Sequence, residues 1–91
     1  MKPKYIANKS LIMSNLYTIQ AFWDREAEVW VAESQDIQGL VTEAETLDQL
    51  THKLKQIIPD LLIANHGIEQ NHQQNITFEL IAHRQELIQV A

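Results

Sequence analysis

Phe22–Leu50 reads FWDREAEVWVAESQDIQGLVTEAETLDQL, and this stretch decides the fold. It predicts the end of one strand, an acidic turn, a second strand, a turn at Gly39, a third strand and a helix start. Just upstream, Leu16–Trp23 alternates with period two. Tyr17, Ile19, Ala21 and Trp23 lie on one side, and Leu16, Thr18, Gln20 and Phe22 on the other. Asp24–Ala27 is a polar connection of hairpin length, and Glu28–Ser34 follows as a strand rich in Val and Trp. With that loop Ala21 faces Trp30 and Ile19 faces Ala32, giving one apolar side. The other side, Thr18, Gln20, Phe22, Val29 and Val31, is mixed and half-open. Gln35–Gly39 turns again, with Gly39 supplying positive φ, and Leu40–Glu45 makes a short third strand.

Thr46-Leu47-Asp48-Gln49 has the pattern of a capping box, and Asp48 puts negative charge where the helix dipole favours it. Leu47, Leu50, Leu54, Ile57, Ile58, Leu61 and Leu62 then fall near one stripe, with Lys53, Lys55, Gln56 and Asp60 opposite. Pro59 removes an N–H from the ladder, but the stripe stays in phase beyond it, so a kink is expected rather than a break. Gly67 is placed to close the helix in a left-handed conformation. After a polar loop, Ile68–Gln74, alternation returns over Asn75–His83 as a fourth strand that runs on to Val90 with a turn near Gln85. Ile76, Phe78, Leu80 and Ala82 take one side; Thr77, Glu79, Ile81 and His83 take the other.

The order is therefore βββαβ in an α+β domain. Strand three runs parallel to strand one, and the helix brings strand four back in that same direction. The economical sheet is four-stranded and mixed, in the order 3-2-1-4, with one kinked helix on one face.

Composition narrows the function classes. Ninety-one residues with 45% hydrophobic and 21% charged side chains make one small globular domain. No apolar run approaches the ~20 residues of a membrane span, and the opening MKPKYIANKSLIMSN is too polar for a signal peptide. With no cysteine there are no disulfides or thiolate metal sites, and a cytoplasmic location is expected. Residues 1–15 form a polar basic tail with Lys2, Lys4 and Lys9 and no acid, whereas residues 16–91 carry four basic residues against twelve acids. Such a body repels phosphate, so no direct nucleic-acid binding is expected.

The residues Trp30, Asp36-Ile37-Gln38-Gly39, and Thr46-Leu47 with Leu50 together resemble the HicB-like antitoxin domains. Trp23–Ala32, of the W-D-x-E-A-x-V-W-V-A type, and Ile58-Pro59-Asp60-Leu61-Leu62 followed by Asn65 are similar to small uncharacterised single-domain bacterial relatives of that family. The resemblance makes residues 16–91 a HicB-like domain and implies a partial RNase H-like fold. It also implies a protein-binding role: in typical members the domain occludes a small, basic, histidine-dependent mRNA-cleaving toxin, while a second domain binds DNA. Gln38 stands where the family's turn usually has proline, and ninety-one residues leave no room for a DNA-binding module. Autorepression by this chain alone is therefore not expected.

No catalytic, cofactor-binding or metal-binding residues are expected. Two-metal nuclease chemistry needs converging carboxylates, yet Tyr17–Phe22 has no acid, Asp24 lies past the strand and Glu79 lies on the side away from the helix. His52, His66, His72 and His83 form no i, i+4 pair and read as solvated. Eight of the twelve acids crowd into Phe22–Leu50 with only Arg25 to balance them. The candidate partner-binding residues are thus Asp24, Glu26 and Asp36, for a small basic toxin-like protein, and Phe22, Val29 and Val31, an apolar patch that a single helix leaves uncovered. A homo-oligomer is expected through this face or a sheet edge. The alternative is a solitary oligomerising structural or regulatory domain without a toxin partner.

Overall fold

A computed structural model describes residues 16–68 and 75–91; the basic tail, His72 and most of the Ile68–Gln74 loop lie outside the described residues. The elements are β1 (Leu16–Asp24), β2 (Val29–Glu33), β3 (Val41–Ala44), α1 (Leu47–Asn65) and β4 (Thr77–His83). They form one four-stranded sheet in the order β3-β2-β1-β4, with β1 antiparallel to β2, β2 antiparallel to β3, and β4 parallel to β1. This is the expected mixed α+β sheet.

The hairpin register differs from expectation by two residues. Ala21 faces Ala32 and Trp23 faces Trp30, so the loop is Arg25–Glu28 rather than Asp24–Ala27. Asp24 is the reason. It ends β1 opposite Val29, and its Oδ1 accepts from the N–H groups of Glu26 (3.0 Å) and Ala27 (3.1 Å). Glu28, expected to begin β2, instead completes the turn at φ +58 and donates its N–H to Asp24 O at 2.7 Å. A slip of two keeps every side chain on its face, which is why Ile19, Ala21, Trp30 and Ala32 are buried as the pattern required.

Where β2 leaves the sheet, side chains continue the ladder along β1. Ser34 Oγ donates to Thr18 O at 2.7 Å, and Asp36 Oδ2 accepts from Thr18 N–H at 2.7 Å. Ser34 Oγ also accepts from the N–H groups of Asp36 and Ile37, folding the chain into the turn that buries Ile37 and Leu40. Gly39 sits at φ +87, where any side chain is strained, and a Cβ there would also crowd Asn65 Nδ2 at 3.2 Å.

Helix α1 begins at the Thr46 cap, whose hydroxyl accepts from Gln49 N–H at 3.1 Å. It buries Leu50, Leu54, Ile58 and Leu62, each contributing a gross ~1.5–3 kcal/mol. Leu47, Ile57 and Leu61 flank this row, half-buried. The helix passes through Pro59 without a break. Gly67 at φ +70 ends it, with Ile68 N–H reaching Leu62 O at 3.4 Å. The helix backbone lies closest to β3 and β2, so the β4 side of its face is less covered, although Ile19 and Ala21 of β1 are buried. On β4, Phe78 and Leu80 are half-buried and Ala82 is exposed.

Strand β4 stops at His83. The expected continuation toward Val90 does not occur: Arg84–Ala91 has no regular secondary structure. Its first residues turn toward the β1–β2 loop instead, where Arg25 Nη2 donates to Gln85 O at 3.0 Å.

Candidate functional site

The face of the sheet opposite α1 has no helix over it among the described residues. Its middle is apolar: Phe22 and Val31 are direct cross-strand partners, and Val29 lies one step diagonally beyond, opposite Asp24. Phe22 is 40% exposed, and Val29 and Val31 are half-buried. On the other side of Phe22 stands His83 of β4, stacked on the ring at 4.8 Å between centroids and 15° between planes. Ile81, also 40% exposed, joins the same face next to Gln20. The sequence-predicted trio is therefore brought together, and His83 and Ile81 extend it.

Acids frame this apolar middle. Asp24, Glu33, Glu43 and Glu79 alternate onto the same face from all four strands, while none of the four strands contains a Lys or Arg. Glu79 accepts from Thr18 Oγ1 at 3.3 Å, and Glu33 and Glu43 are exposed. An apolar strip inside a carboxylate frame suits a cationic surface that carries one or two apolar side chains.

The three acids chosen from the sequence do not form one cluster. Asp24 and Glu26 sit at the β1–β2 turn; Asp36 sits at the other end of β1, beside Thr18. The two ends are six positions apart along β1, or roughly 20 Å. Asp24 and Asp36 also each accept backbone N–H groups, so shaping the fold is their first role, whereas Glu26 is exposed in the turn. Glu33 and Glu43 border Val31 and Glu79 borders Ile81, just as Asp24 borders Phe22 and Val29. The period-two pattern held the signal for two of the three glutamates: Glu33 is two residues from Val31, and alternation already puts Glu79 on the side away from the helix, whereas the short third strand gave Glu43 no assigned face.

Trp23 belongs to the opposite face. It packs edge-on to buried Trp30 at 5.4 Å and is roofed by the Arg84 guanidinium 4.2 Å from its ring centre. Arg84 in turn donates to Glu86 Oε2 at 2.7 Å, and this hydrogen bond holds the Glu86 carboxyl below its ordinary range.

Histidines serve as structural partners where partners are seen. His66 Nε2 accepts the Gln38 N–H at 2.8 Å, while Asn65 Nδ2 donates to Gln38 O at 2.9 Å. The C-terminal turn of α1 thereby holds both backbone groups of one turn residue. Proline, which has no N–H, could not make the first of these bonds. An open groove of about 700 Å³ runs between the β3 edge and the start of α1, lined by Val29, Glu43, Glu45, Asp48, His52 and Lys53. Among the described residues no three His, Asp or Glu side chains are placed to share a metal ion. No helix there is long and apolar enough to cross a membrane.

The fold and this face define a small α+β sheet module with one helix-covered side and one open, acid-framed side. Residues 16–90 match the family model described as a domain of unknown function, DUF1902, and the chain belongs to that family. The chain is also similar to a solved structure, the hypothetical protein TTHA1013 from the extremely thermophilic bacterium Thermus thermophilus. The identity is 41%, over 80% of this chain and 99% of that one, with a TM-score of 0.65. No curated protein matches it.

Proposed function

We propose that this chain is a non-catalytic, HicB-like protein-binding module of the antitoxin type, which covers a small basic ribonuclease with its open sheet face. The observation that supports this reading is the apolar strip of Phe22, Val29, Val31 and Ile81 inside a frame of Asp24, Glu33, Glu43 and Glu79. Residues 16–91 carry twelve acids against four basic residues, so a cationic partner is drawn in at long range and a polyanion is repelled. Inhibition would be steric: the sheet occludes the partner's RNA-binding surface and contributes no chemistry of its own. The partial RNase H-like likeness belongs to this proposal and is read as a scaffold rather than a nuclease.

The test is to purify the product of any short, lysine-rich reading frame beside the gene and mix it with this chain. RNA cleavage by that product should stop at equimolar addition. The association rate should fall at least tenfold between roughly 50 and 500 mM salt, as charges more than a Debye length apart are screened. Glu33→Lys with Glu43→Lys should abolish protection. Unchanged cleavage, or a rate indifferent to salt, sinks the proposal.

A second reading, a solitary oligomerising module without a toxin, draws support from Leu87, Ile88 and Val90, which are 79–87% exposed. Such side chains suit association with another folded surface whether or not a basic partner exists.

A further inference from the structure

The sheet has two edges, and the chain treats them differently. β3 is four residues long, and its Glu43 carbonyl is taken by the Lys53 ammonium at 2.6 Å. A short edge strand covered by a lysine is protected against further pairing. β4 is seven residues long, contains no Pro, Lys or Arg, and among the described residues pairs only with β1. Among the described residues its outer row of backbone donors and acceptors has no such guard.

Beyond β4 comes the arm Arg84–Ala91. Its root is anchored by the Arg25–Gln85 hydrogen bond and by Arg84 on Trp23, and the Arg84–Glu86 hydrogen bond shapes the arm itself. Its tip presents Leu87, Ile88 and Val90, 87, 79 and 85% exposed. An anchored root with an apolar tip in water is unfavourable unless another surface covers the tip.

We propose that the covering surface is a second copy of this chain. Two β4 strands pair antiparallel about a twofold axis at Leu80, joining two four-stranded sheets into one of eight, and each arm lies on the partner. Strand β4 is complementary to itself in this register. Leu80 faces the partner's Leu80, Phe78 faces the partner's Ala82, Glu79 faces the partner's Ile81, and Thr77 faces the partner's His83. No charge meets its like, and the large Phe78 ring is set against the smallest side chain of the strand. An axis at Glu79 would instead oppose two carboxylates. The axis also puts the less-covered parts of both helix-side faces, Phe78 and Leu80, next to each other.

Charge selects a second copy over a basic partner at this edge. Glu79 is the only acid between Thr77 and His83, so the edge lacks the carboxylate frame of the open face. Area explains the arm. A seven-residue edge is a strip about 23 Å long, narrow beside the ~800 Å² that each partner buries in a stable interface. The arm's three apolar side chains widen it. This inference deepens the self-association in the functional reading and is independent of the toxin-like partner.

The chain contains no cysteine, so single-cysteine variants of the full chain report the contact cleanly. Under mild oxidation Leu80→Cys should give a covalent dimer as the main product, because residues paired across an antiparallel seam meet disulfide distances. Thr42→Cys, on the β3 edge, should give almost none. At about 100 µM, far above a micromolar Kd, the unmodified chain should sediment at twice its 10.5 kDa mass. Ala82→Glu, at an exposed position, should sediment as a folded monomer with unchanged circular dichroism. Leu87→Ser with Ile88→Ser should weaken the dimer at least tenfold. A monomeric unmodified chain overturns both the inference and the self-association reading. A dimer that survives Ala82→Glu but dissociates on Val31→Glu overturns the edge pairing alone, and crosslinking at Ile81→Cys in place of Leu80→Cys overturns the axis.

Discussion

The half of the domain under α1 and the half around β4 are built from similar side chains but finished differently. Under the helix, Leu50, Leu54, Ile58 and Leu62 meet Trp30, Ala32 and Ala44, and all are at most 8% exposed. Around β4, Phe78 and Leu80 are only half-buried, and the following arm leaves three apolar residues in water. Sequence hydrophobicity is alike in the two regions; the difference is whether an element of the same chain lies across them. One half is closed by folding. The other is left open by the described elements of the same chain, and the proposed dimer is what would close it.

The sharpest way to break this contrast is to truncate a residue on each side of it. Leu54→Ala should cost ~2–5 kcal/mol in urea unfolding, since it removes a fully buried side chain and leaves a cavity. A loss below ~1 kcal/mol would mean that the helix-covered half is not the stabilising core. Next in size is Gly39→Ala, at φ +87 with Asn65 close by. It should cost ~1–2 kcal/mol for the left-handed backbone, seen as a lower urea midpoint at constant slope. Thr46→Ala removes the cap on Gln49 N–H and should cost ~1 kcal/mol, with Thr46→Ser restoring most of it. Leu87→Ala, measured at concentrations dilute enough for a monomer, should change stability by less than ~0.5 kcal/mol, as exposed positions do. If it matched Leu54→Ala, the arm would be part of the monomer core.

The smallest expected effect is a pH dependence at the arm's root. The Glu86 carboxyl is held below its ordinary value of 4.5, chiefly by the Arg84 hydrogen bond. A depressed carboxyl contributes its stabilisation above the unfolded-state value and loses it as pH falls through the folded-state value. Chemical shifts of Gln85 and Leu87 should thus hold steady from neutral pH to about 5 and move together in more acidic solution. In Arg84→Gln the transition should shift to higher pH.

Much of this was legible in the chain, and the exceptions share a physical cause. Period-two alternation placed Ile19, Ala21, Trp30 and Ala32 on the buried face, and a register error of two could not disturb that, because strand faces repeat every second residue. The turn is harder to place from sequence because Asp24 has two uses. Its composition says loop, but its carboxylate caps the loop from the last strand position. The same kind of bond hid the split in the acidic site: Asp36 reads as a surface charge until Thr18 N–H is found on it. Helical spacing identified the stripe through Pro59, but it could not rank Leu61 against Leu62, which depends on where the sheet lies beneath them. The His66–Gln38 bond joins residues twenty-eight apart and has no local pattern to announce it.

That bond has a further effect. His66 and Asn65 hold the N–H and C=O of Gln38, and Asn65 stands where a Cβ on Gly39 would crowd it. The last turn of α1 therefore cannot fray by itself, as helix ends ordinarily do, without loosening the β2–β3 connection. The two segments should open as one cooperative unit. Amide exchange at Gln38, Leu40, His66 and Ile68 should then proceed at one common rate, slower than either segment would show if severed from the other.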